Sequence, residues 1–191
     1  MTKEEFEKKY MIKIDVIKTK IENNQIIEEK NYSIIASKDL VTEDLWNEIM
    51  YEKKTEDDKK KKIMKDIREE KVLEFCNKLS KKYGLNPVYK YKEKEQFKII
   101  DSKRNEIKIK DIDFKKLEGY RLITSSEYIS IMQNKNKGIE GQIELEDEII
   151  YDIDKKLFCF VKSKSIILLE EDCQNYESLG FRIVRTIIEK N

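Results

Sequence analysis

Residues 55–84 read TEDDKKKKIMKDIREEKVLEFCNKLSKKYG, and this charged stretch decides how the rest of the chain is arranged. Its apolar side chains recur at steps of three to five residues, with a single offset after Ile67. That spacing is typical of an amphipathic helix with one buried face. Thr55 is suited to cap the N-terminus of this helix, and Gly84 is suited to end it in a left-handed conformation. The pattern therefore predicts one long helix over about 56–83.

The segment before this helix predicts a β-hairpin followed by a shorter helix. Apolar and polar residues alternate over 12–21, which is the period of a strand. A turn at 22–25 then leads into a return strand over 26–36. Ser37 or Thr42 is suited to begin the shorter helix. Together with the long helix it makes a helical pair between two β segments.

The segment after the long helix predicts more strands and a final helix. Short alternating runs at 88–92, 96–101 and 106–110 predict a basic β-meander. Runs that are apolar on both faces predict a second strand set over 148–169. Asp172 is suited to cap a C-terminal helix in the remaining residues.

The composition is that of a globular protein whose charges nearly cancel. The chain has 191 residues, with 40 Lys and Arg against 39 Asp and Glu, so its formal net charge is +1. Hydrophobic residues make up 39% of it, which is enough for a sizeable core. With the predicted elements, this indicates an α+β fold in a single domain over 1–191, with 1–83 and 84–191 as candidate lobes.

Histidine is absent, and its absence excludes several kinds of catalysis. Ser-His and Cys-His nucleophile pairs and histidine-ligated zinc all need that side chain. The cysteines, Cys76, Cys159 and Cys173, lie far apart without a paired spacing, as is typical of a reducing compartment. The sequence shows no signal peptide and no apolar run of about 18 residues. We therefore expect a cytoplasmic protein with no membrane span and no cofactor.

Asp101, Glu106 and Lys108 are the candidate catalytic residues. Two carboxylates and a lysine on adjacent strands can hold Mg²⁺ and activate water, as metal-dependent nucleases do. Here, however, Asp101 precedes Glu106 by only five residues, and both residue types are abundant in the chain. Ordinary charge pairing across a hairpin explains the same pattern. We therefore expect neither a catalytic set nor a bound metal, and we keep a Mg²⁺-dependent nuclease as an alternative.

The most basic window lies at 81–110, with ten Lys or Arg residues against four Asp or Glu. The candidate binding residues on its lysine-rich face are Lys90, Lys92, Lys98, Lys103, Arg104, Lys108 and Lys110. Strand alternation places Tyr89 and Tyr91 on the opposite face, where they cannot stack on a base held by the lysines. Contact with phosphates and protection of a strand edge are the alternative uses of these lysines.

An acidic window follows at 140–154, with seven carboxylates and no basic residue. The candidate binding residues in this strip are Glu144, Glu146, Asp147, Glu148, Asp152 and Asp154. An acidic strip can imitate the phosphate line of a nucleic acid and occupy a basic groove on another protein. Binding of Ca²⁺ or Mg²⁺ and a simple solvated edge are the alternatives.

Two separate charged windows without a catalytic set indicate a non-enzymatic intracellular binding protein that acts through charged surfaces. We expect a protein partner, with a nucleoprotein complex as one candidate. The size and composition suit an accessory protein of a phage or mobile element, for example an inhibitor of a nucleic-acid-targeting defence complex. Direct nucleic-acid binding by the lysine face and the Mg²⁺-dependent nuclease are the alternatives.

Overall fold

The computed structural model describes residues 1–22, 25–53, 62–92, 96–108, 111–136, 148–152, 157–162, 165–168 and 179–188. These residues confirm the predicted α+β fold class. The helices are α1 Lys3–Tyr10, α2 Glu43–Tyr51, α3 Glu69–Lys82 and α4 Ser125–Asn136, with a 3-10 helix at Phe114–Lys116. The strands are β1 Met11–Glu22, β2 Gln25–Ser37, β3 Tyr89–Lys92, β4 Gln96–Ile99, β5 Arg121–Leu122, β6 Glu148–Asp152, β7 Leu157–Lys162, β8 Ser165–Leu168, β9 Gly180–Phe181 and β10 Ile183–Thr186.

The predicted N-terminal hairpin is confirmed and forms one side of a central sheet. Strands β1 and β2 pair in antiparallel register from Met11–Ser37 to Glu22–Gln25, with a shift between Val16 and Ile17. The sheet order is β1-β2-β10-β5. The last strand of the chain therefore lies between the hairpin and β5.

Both faces of the central sheet are buried. One face packs against α4 through a core that contains Ile14, Val16, Ile34, Ala36, Ile123, Tyr128, Ile131 and Val184. The opposite face contributes Leu122 and Ile183 to a larger core with α1, α2 and α3. In that core the Trp46 and Phe75 rings stack with centroids 5.3 Å apart. The sheet is thus the layer on which helices pack from both sides.

The predicted C-terminal helix is wrong for residues 179–188, and its predicted cap Asp172 lies outside the described residues. The chain instead forms β9 and β10, with Arg182 between them. Strand β9 pairs in parallel with β6 at the edge of a second sheet, of order β8-β7-β6-β9, whereas β10 joins the central sheet. Because Ile183 and Val184 enter the cores on opposite faces, this segment lacks the alternation that marks a half-buried strand. The second apolar strand set is confirmed as β6, β7 and β8.

The predicted long helix is shorter than expected. Helix α3 begins at Glu69, and residues 62–68 are not helical. Ile63 forms a β-bridge with Thr42, which also caps α2 as predicted. The offset after Ile67 therefore marks a real break, since the regular apolar spacing begins only within α3. The predicted cap Thr55 lies outside the described residues.

Gly84 ends α3 as predicted. Its φ is 70°, and its N–H donates to the Lys81 carbonyl at 3.1 Å. The next N–H, that of Leu85, donates to the Ser80 carbonyl at 2.9 Å. This pair of hydrogen bonds is a Schellman motif, which satisfies the last carbonyls of the helix.

The predicted β-meander is reduced to a hairpin with one extra bridge. Strands β3 and β4 pair as expected, with Lys90 opposite Lys98. The third run makes only an isolated bridge between Ile100 and Glu106 before Lys108, and its last two residues lie outside the described range. A turn of 3-10 helix follows, and its Phe114 is buried.

Gly119 supports this arrangement through a close backbone approach. A Cβ atom added there would lie 2.1 Å from the Asn86 carbonyl oxygen, whereas one added at Gly84 would meet nothing within 4 Å. We expect Gly119→Ala to lower the free energy of unfolding by about 3 kcal/mol, as strong overpacking does. Gly84→Ala should cost only about 1 kcal/mol of left-handed backbone strain. Urea denaturation of both variants tests this order, and equal losses would contradict it.

Candidate functional site

A cleft of about 300 Å³ lies between the end of α3 and the β3–β4 hairpin. We call it the basic cleft. The residues that line it are Asn77, Lys81, Pro87, Tyr89, Lys90, Ile100 and Arg104. Three of these side chains are cations and none is a carboxylate. Pro87, Tyr89 and Ile100 supply an apolar floor. The cleft therefore combines a positive rim with an apolar interior.

The wall from α3 is fixed to β3 by a two-way hydrogen bond. The Asn77 amide nitrogen donates to the Tyr89 carbonyl at 2.7 Å, and the Tyr89 N–H donates to Asn77 Oδ1 at 3.1 Å. The Tyr89 hydroxyl accepts from the Leu122 N–H at 3.0 Å. These bonds hold the two walls at a set distance. They also keep Tyr89 buried, and although the alternation predicted it on the face opposite the lysines, it lines the cleft together with Lys90.

Arg104 reaches the cleft from a tight turn that Asp101 holds in place. The Asn105 N–H donates to Asp101 Oδ1 at 2.8 Å, and the Asn105 amide nitrogen donates to Oδ2 at 3.2 Å. Hydrogen bonding from the Asn105 backbone lowers the pKa of Asp101 below its ordinary value. Within this turn Arg104 has a φ of 65°, a left-handed conformation that costs a non-glycine residue about 1 kcal/mol. The hydrogen bonds between Asn105 and Asp101 therefore offset the backbone strain at Arg104 and keep this residue in place.

Lys90 of the hairpin lines the same cleft as Arg104 of this turn. Lys90 and Lys98 are directly opposite across β3 and β4, which puts two like charges side by side. Glu106 offsets part of this charge, with one carboxylate oxygen 3.6 Å from the Lys90 ammonium. Of the predicted basic residues, the structure thus brings together Lys90, Lys98, and Arg104 with its neighbour Lys103.

Other basic residues differ from the prediction in their placement. Lys81 lines the cleft, although the sequence pattern marked it only as part of the basic window. The sequence shows that Lys81 lies one helical turn after Asn77 and so on the same side of α3. It does not show that this side of α3 contacts β3, so it could not place Lys81 in the cleft. Lys108 is exposed. Lys92 is the last residue of β3, and its side chain is not among those described. Lys110 lies entirely outside the described residues.

The candidate catalytic residues have identified structural contacts. Both Asp101 carboxylate oxygens accept hydrogen bonds from Asn105, and Glu106 contacts Lys90. Among the described residues, no group of three or more Asp, Glu or Cys side chains is placed to hold a metal ion. The nuclease alternative remains an untested prediction.

The acidic strip falls largely outside the described residues. Glu144, Glu146, Asp147 and Asp154 all lie there. Glu148 and Asp152 are the first and last residues of β6, paired with Val161 and Leu157 of β7. The proposed role of the strip is therefore still a prediction.

A second groove, of about 590 Å³, lies between α2 and α3 and shares Lys81 with the basic cleft. The other lysines of this groove are already engaged. Lys82 is 2.6 Å from the Glu48 carboxylate, and Lys78 donates to the Met50 carbonyl at 3.1 Å. These contacts offset the positive charge, so the groove is the weaker candidate for binding an anion.

A buried ion pair, which no sequence pattern predicted, joins β5 to α4. Arg121 and Glu127 are both fully buried, and their two hydrogen bonds measure 2.8 and 2.6 Å. Tyr32 donates to the same carboxylate at 2.9 Å, as does the Thr124 N–H. No open surface reaches this pair, so its role is to stabilise the fold. The two residues are six positions apart, and this spacing is not one that predicts a contact between side chains.

A second ion pair, half-buried, fixes α1 to the central sheet. The Arg185 guanidinium donates to both Glu7 oxygens, one of them at 2.7 Å. The Tyr120 hydroxyl also donates to Glu7 at 2.7 Å. Cys76 of α3 is a buried thiol whose pKa is raised by burial, so it has no reactive environment.

The fold and the cleft together define an α+β protein with a basic surface cleft. No protein-family model matches the chain, and no curated protein matches it. Among solved structures, the chain is similar to Treponema denticola variable protein 1, with a TM-score of 0.55 and 15% sequence identity. The likeness covers 92% of this chain and 94% of that one, and at this identity it shows a shared fold alone. Within the described part of the chain, no helix is long and apolar enough to cross a membrane.

We expect Glu127→Gln to lower the free energy of unfolding by about 3–5 kcal/mol, because it leaves the Arg121 charge buried without a counter-ion. The matched control is Glu74→Gln, which removes the same charge from an exposed pair with Lys71 and should cost less than about 1 kcal/mol. Chemical denaturation of both variants at neutral pH measures the difference. Similar losses in the two variants would refute a dominant role for the buried pair.

Acid should destabilise the protein through the same group. Burial alone would raise the pKa of Glu127, but the charge and hydrogen bonds of Arg121 hold it below the ordinary value of 4.5. A carboxyl with a lowered folded-state pKa contributes stability above its unfolded pKa and loses that contribution as the pH falls through its folded pKa. We therefore expect stability to decline below about pH 4.5, less steeply in Glu127→Gln than in the wild type. Equal slopes in a urea series against pH would contradict this.

Proposed function

We propose that the protein is a non-enzymatic binding protein that contacts an acidic patch on a partner protein through its basic surface. The basic surface comprises Lys81, Lys90, Lys98, Lys103 and Arg104. The observation that carries the proposal is the convergence of three cations on one cleft, where none of the described lining residues is a carboxylate.

Charge pairing elsewhere in the protein supports this use of the surface. Neighbouring lysines are paired with carboxylates, as in the contact of Lys82 with Glu48. In contrast, Lys81, Lys98, Lys103 and Arg104 make no ion pair with any carboxylate in the described ranges. The repulsion between Lys90 and Lys98 is relieved when a partner supplies carboxylates. A charge-complementary protein surface meets this requirement.

Other features favour a protein partner over a nucleic acid. Tyr89 is buried and hydrogen-bonded, so it offers no ring on which a base could stack. Glu106 interrupts the surface beside Lys90, and the formal net charge of the chain is only +1. Nearby carboxylates weaken the field that phosphate backbones require. A mixed surface of this kind gives specificity towards a folded partner.

The narrower proposal is that the partner belongs to a nucleic-acid-targeting defence complex, which the protein would inhibit. Its support is the length and composition of the chain, together with the two charged windows of the sequence. The experiment below tests this narrower proposal as well, because it identifies the partner.

The test is affinity capture from a lysate of the source cells, with and without nuclease treatment, read by mass spectrometry. We expect the wild type to retain one stoichiometric protein that survives nuclease treatment. Reversing two charges outside the cleft, with Lys98→Glu and Lys103→Glu together, should reduce its recovery at least about tenfold, because like charges then face each other. The matched control makes the same changes at exposed Lys13 and Lys65 and should leave recovery unchanged.

Two outcomes would overturn the proposal. Equal recovery with both double variants would show that the basic surface does not carry the contact. Recovery of nucleic acid alone would favour the nucleic-acid alternatives. Mg²⁺-dependent cleavage by the wild type and by Glu106→Ala would then separate a nuclease from a simple nucleic-acid-binding protein.

A further inference from the structure

The basic cleft has the dimensions of a small-ligand site. Its volume of about 300 Å³ lies at the lower end of the range for pockets that bind small molecules. Such pockets combine apolar walls with a few polar groups that fix the orientation of the ligand. The cleft has this character, with Pro87 and Ile100 in its floor and cations at its rim.

The charge of the cleft suits an anion. Lys81, Lys90 and Arg104 contribute three positive charges, which Glu106, 3.6 Å from Lys90, and Asp101, in the turn that carries Arg104, offset in part. The positive charge that remains attracts a phosphate monoester, which carries close to two negative charges at neutral pH. A planar guanidinium can donate two parallel hydrogen bonds to a phosphoryl group, and each ammonium adds a point charge.

The cleft is also preorganised around Arg104. Asp101 and Asn105 hold the turn through hydrogen bonds of 2.8 and 3.2 Å, and Asn77 fixes α3 against β3. A ligand that enters does not have to order these elements, so less of its binding free energy is lost. The left-handed conformation of Arg104 is kept only because its neighbours determine it.

We infer that the basic cleft binds a phosphate monoester, with the phosphoryl group held by Lys81, Lys90 and Arg104 and the attached organic group against the apolar floor. The phosphate is that of a free nucleotide or of a phosphorylated side chain, and the probes below distinguish these sources. The inference goes beyond the proposed function, because it assigns ligand chemistry to the cleft rather than a partner to the surrounding surface.

The test is a titration of the intact protein with adenosine 5′-monophosphate, O-phosphotyrosine, inorganic phosphate and adenosine, followed by calorimetry and by backbone amide chemical shifts. We expect saturable binding of the phosphorylated probes, with shifts at 101–105 and Asn77, and no binding of adenosine. The tighter of the nucleotide and O-phosphotyrosine identifies the source. Binding of adenosine as tightly as its monophosphate, or no binding of any phosphorylated probe, would overturn the inference.

Two variants of adjacent residues separate the cleft from its surroundings. Arg104→Gln should weaken binding about tenfold, since it removes a charged donor from the phosphate. Lys103→Gln removes the same charge from a residue that does not line the cleft, and it should change affinity less than about twofold. Equal effects of the two variants would show that only general charge attraction operates.

Asp101→Ala tests the role of the turn. Loss of a negative charge beside the cleft would strengthen phosphate binding if charge alone governed affinity. Loss of the hydrogen bonds that hold Arg104 should instead weaken binding several-fold. Tighter binding would overturn the positioning role of Asp101. Because this loop is exposed, we expect the variant to remain folded, and thermal unfolding checks this. The lysines changed in the capture experiment lie outside the cleft, so each proposal can fail without the other.

Discussion

The fold depends on the buried pair of Arg121 and Glu127, because removing two charges from water is costly unless other groups compensate them. The compensating partners come from four other parts of the chain: Tyr32 on β2, Thr124 before α4, Thr186 on β10, and the Phe114 ring, 4.7 Å from the guanidinium carbon. Arg121 Nε is the one nitrogen of the guanidinium that has no hydrogen-bond partner among the described residues. Each partner has to be in place for the pair to be tolerated. The pair therefore favours one arrangement of these elements over other apolar packings.

The same segment connects this network to the basic cleft. Next to Arg121, the Leu122 N–H donates to the Tyr89 hydroxyl and thereby holds β3. On the other side, the Tyr120 N–H donates to Ser80 Oγ of α3 at 2.8 Å. Three consecutive residues thus fix the central sheet, the helix wall of the cleft and its strand wall relative to one another. The shape of the exposed cleft is a consequence of bonds made in the interior.

The sequence was sufficient where local pattern and local chemistry agree. Alternation predicted the N-terminal hairpin, Thr42 was one of two predicted caps for α2, and Gly84 ended α3 as expected. Prediction failed where tertiary contact decides. The segment at Ile183 is apolar towards both faces of a sheet, so it shows no strand period, and its pairing partners on β5 and β2 are about 60 and about 150 residues away. In the candidate site, Lys90 and Arg104 were predicted from charge, whereas Lys81 required the packing of α3 on β3.

Asp101 shows why the chemistry of a residue cannot be taken from its type alone. In the sequence its carboxylate suits a metal ion, because it is followed by Glu106 and Lys108. In the structure both its oxygens accept hydrogen bonds from Asn105, so the carboxylate already serves to hold the turn. The same bonds direct Arg104 into a cleft lined by cations. The carboxylate thus organises a site of the opposite sign, which favours an anion as the ligand of this hairpin over a metal.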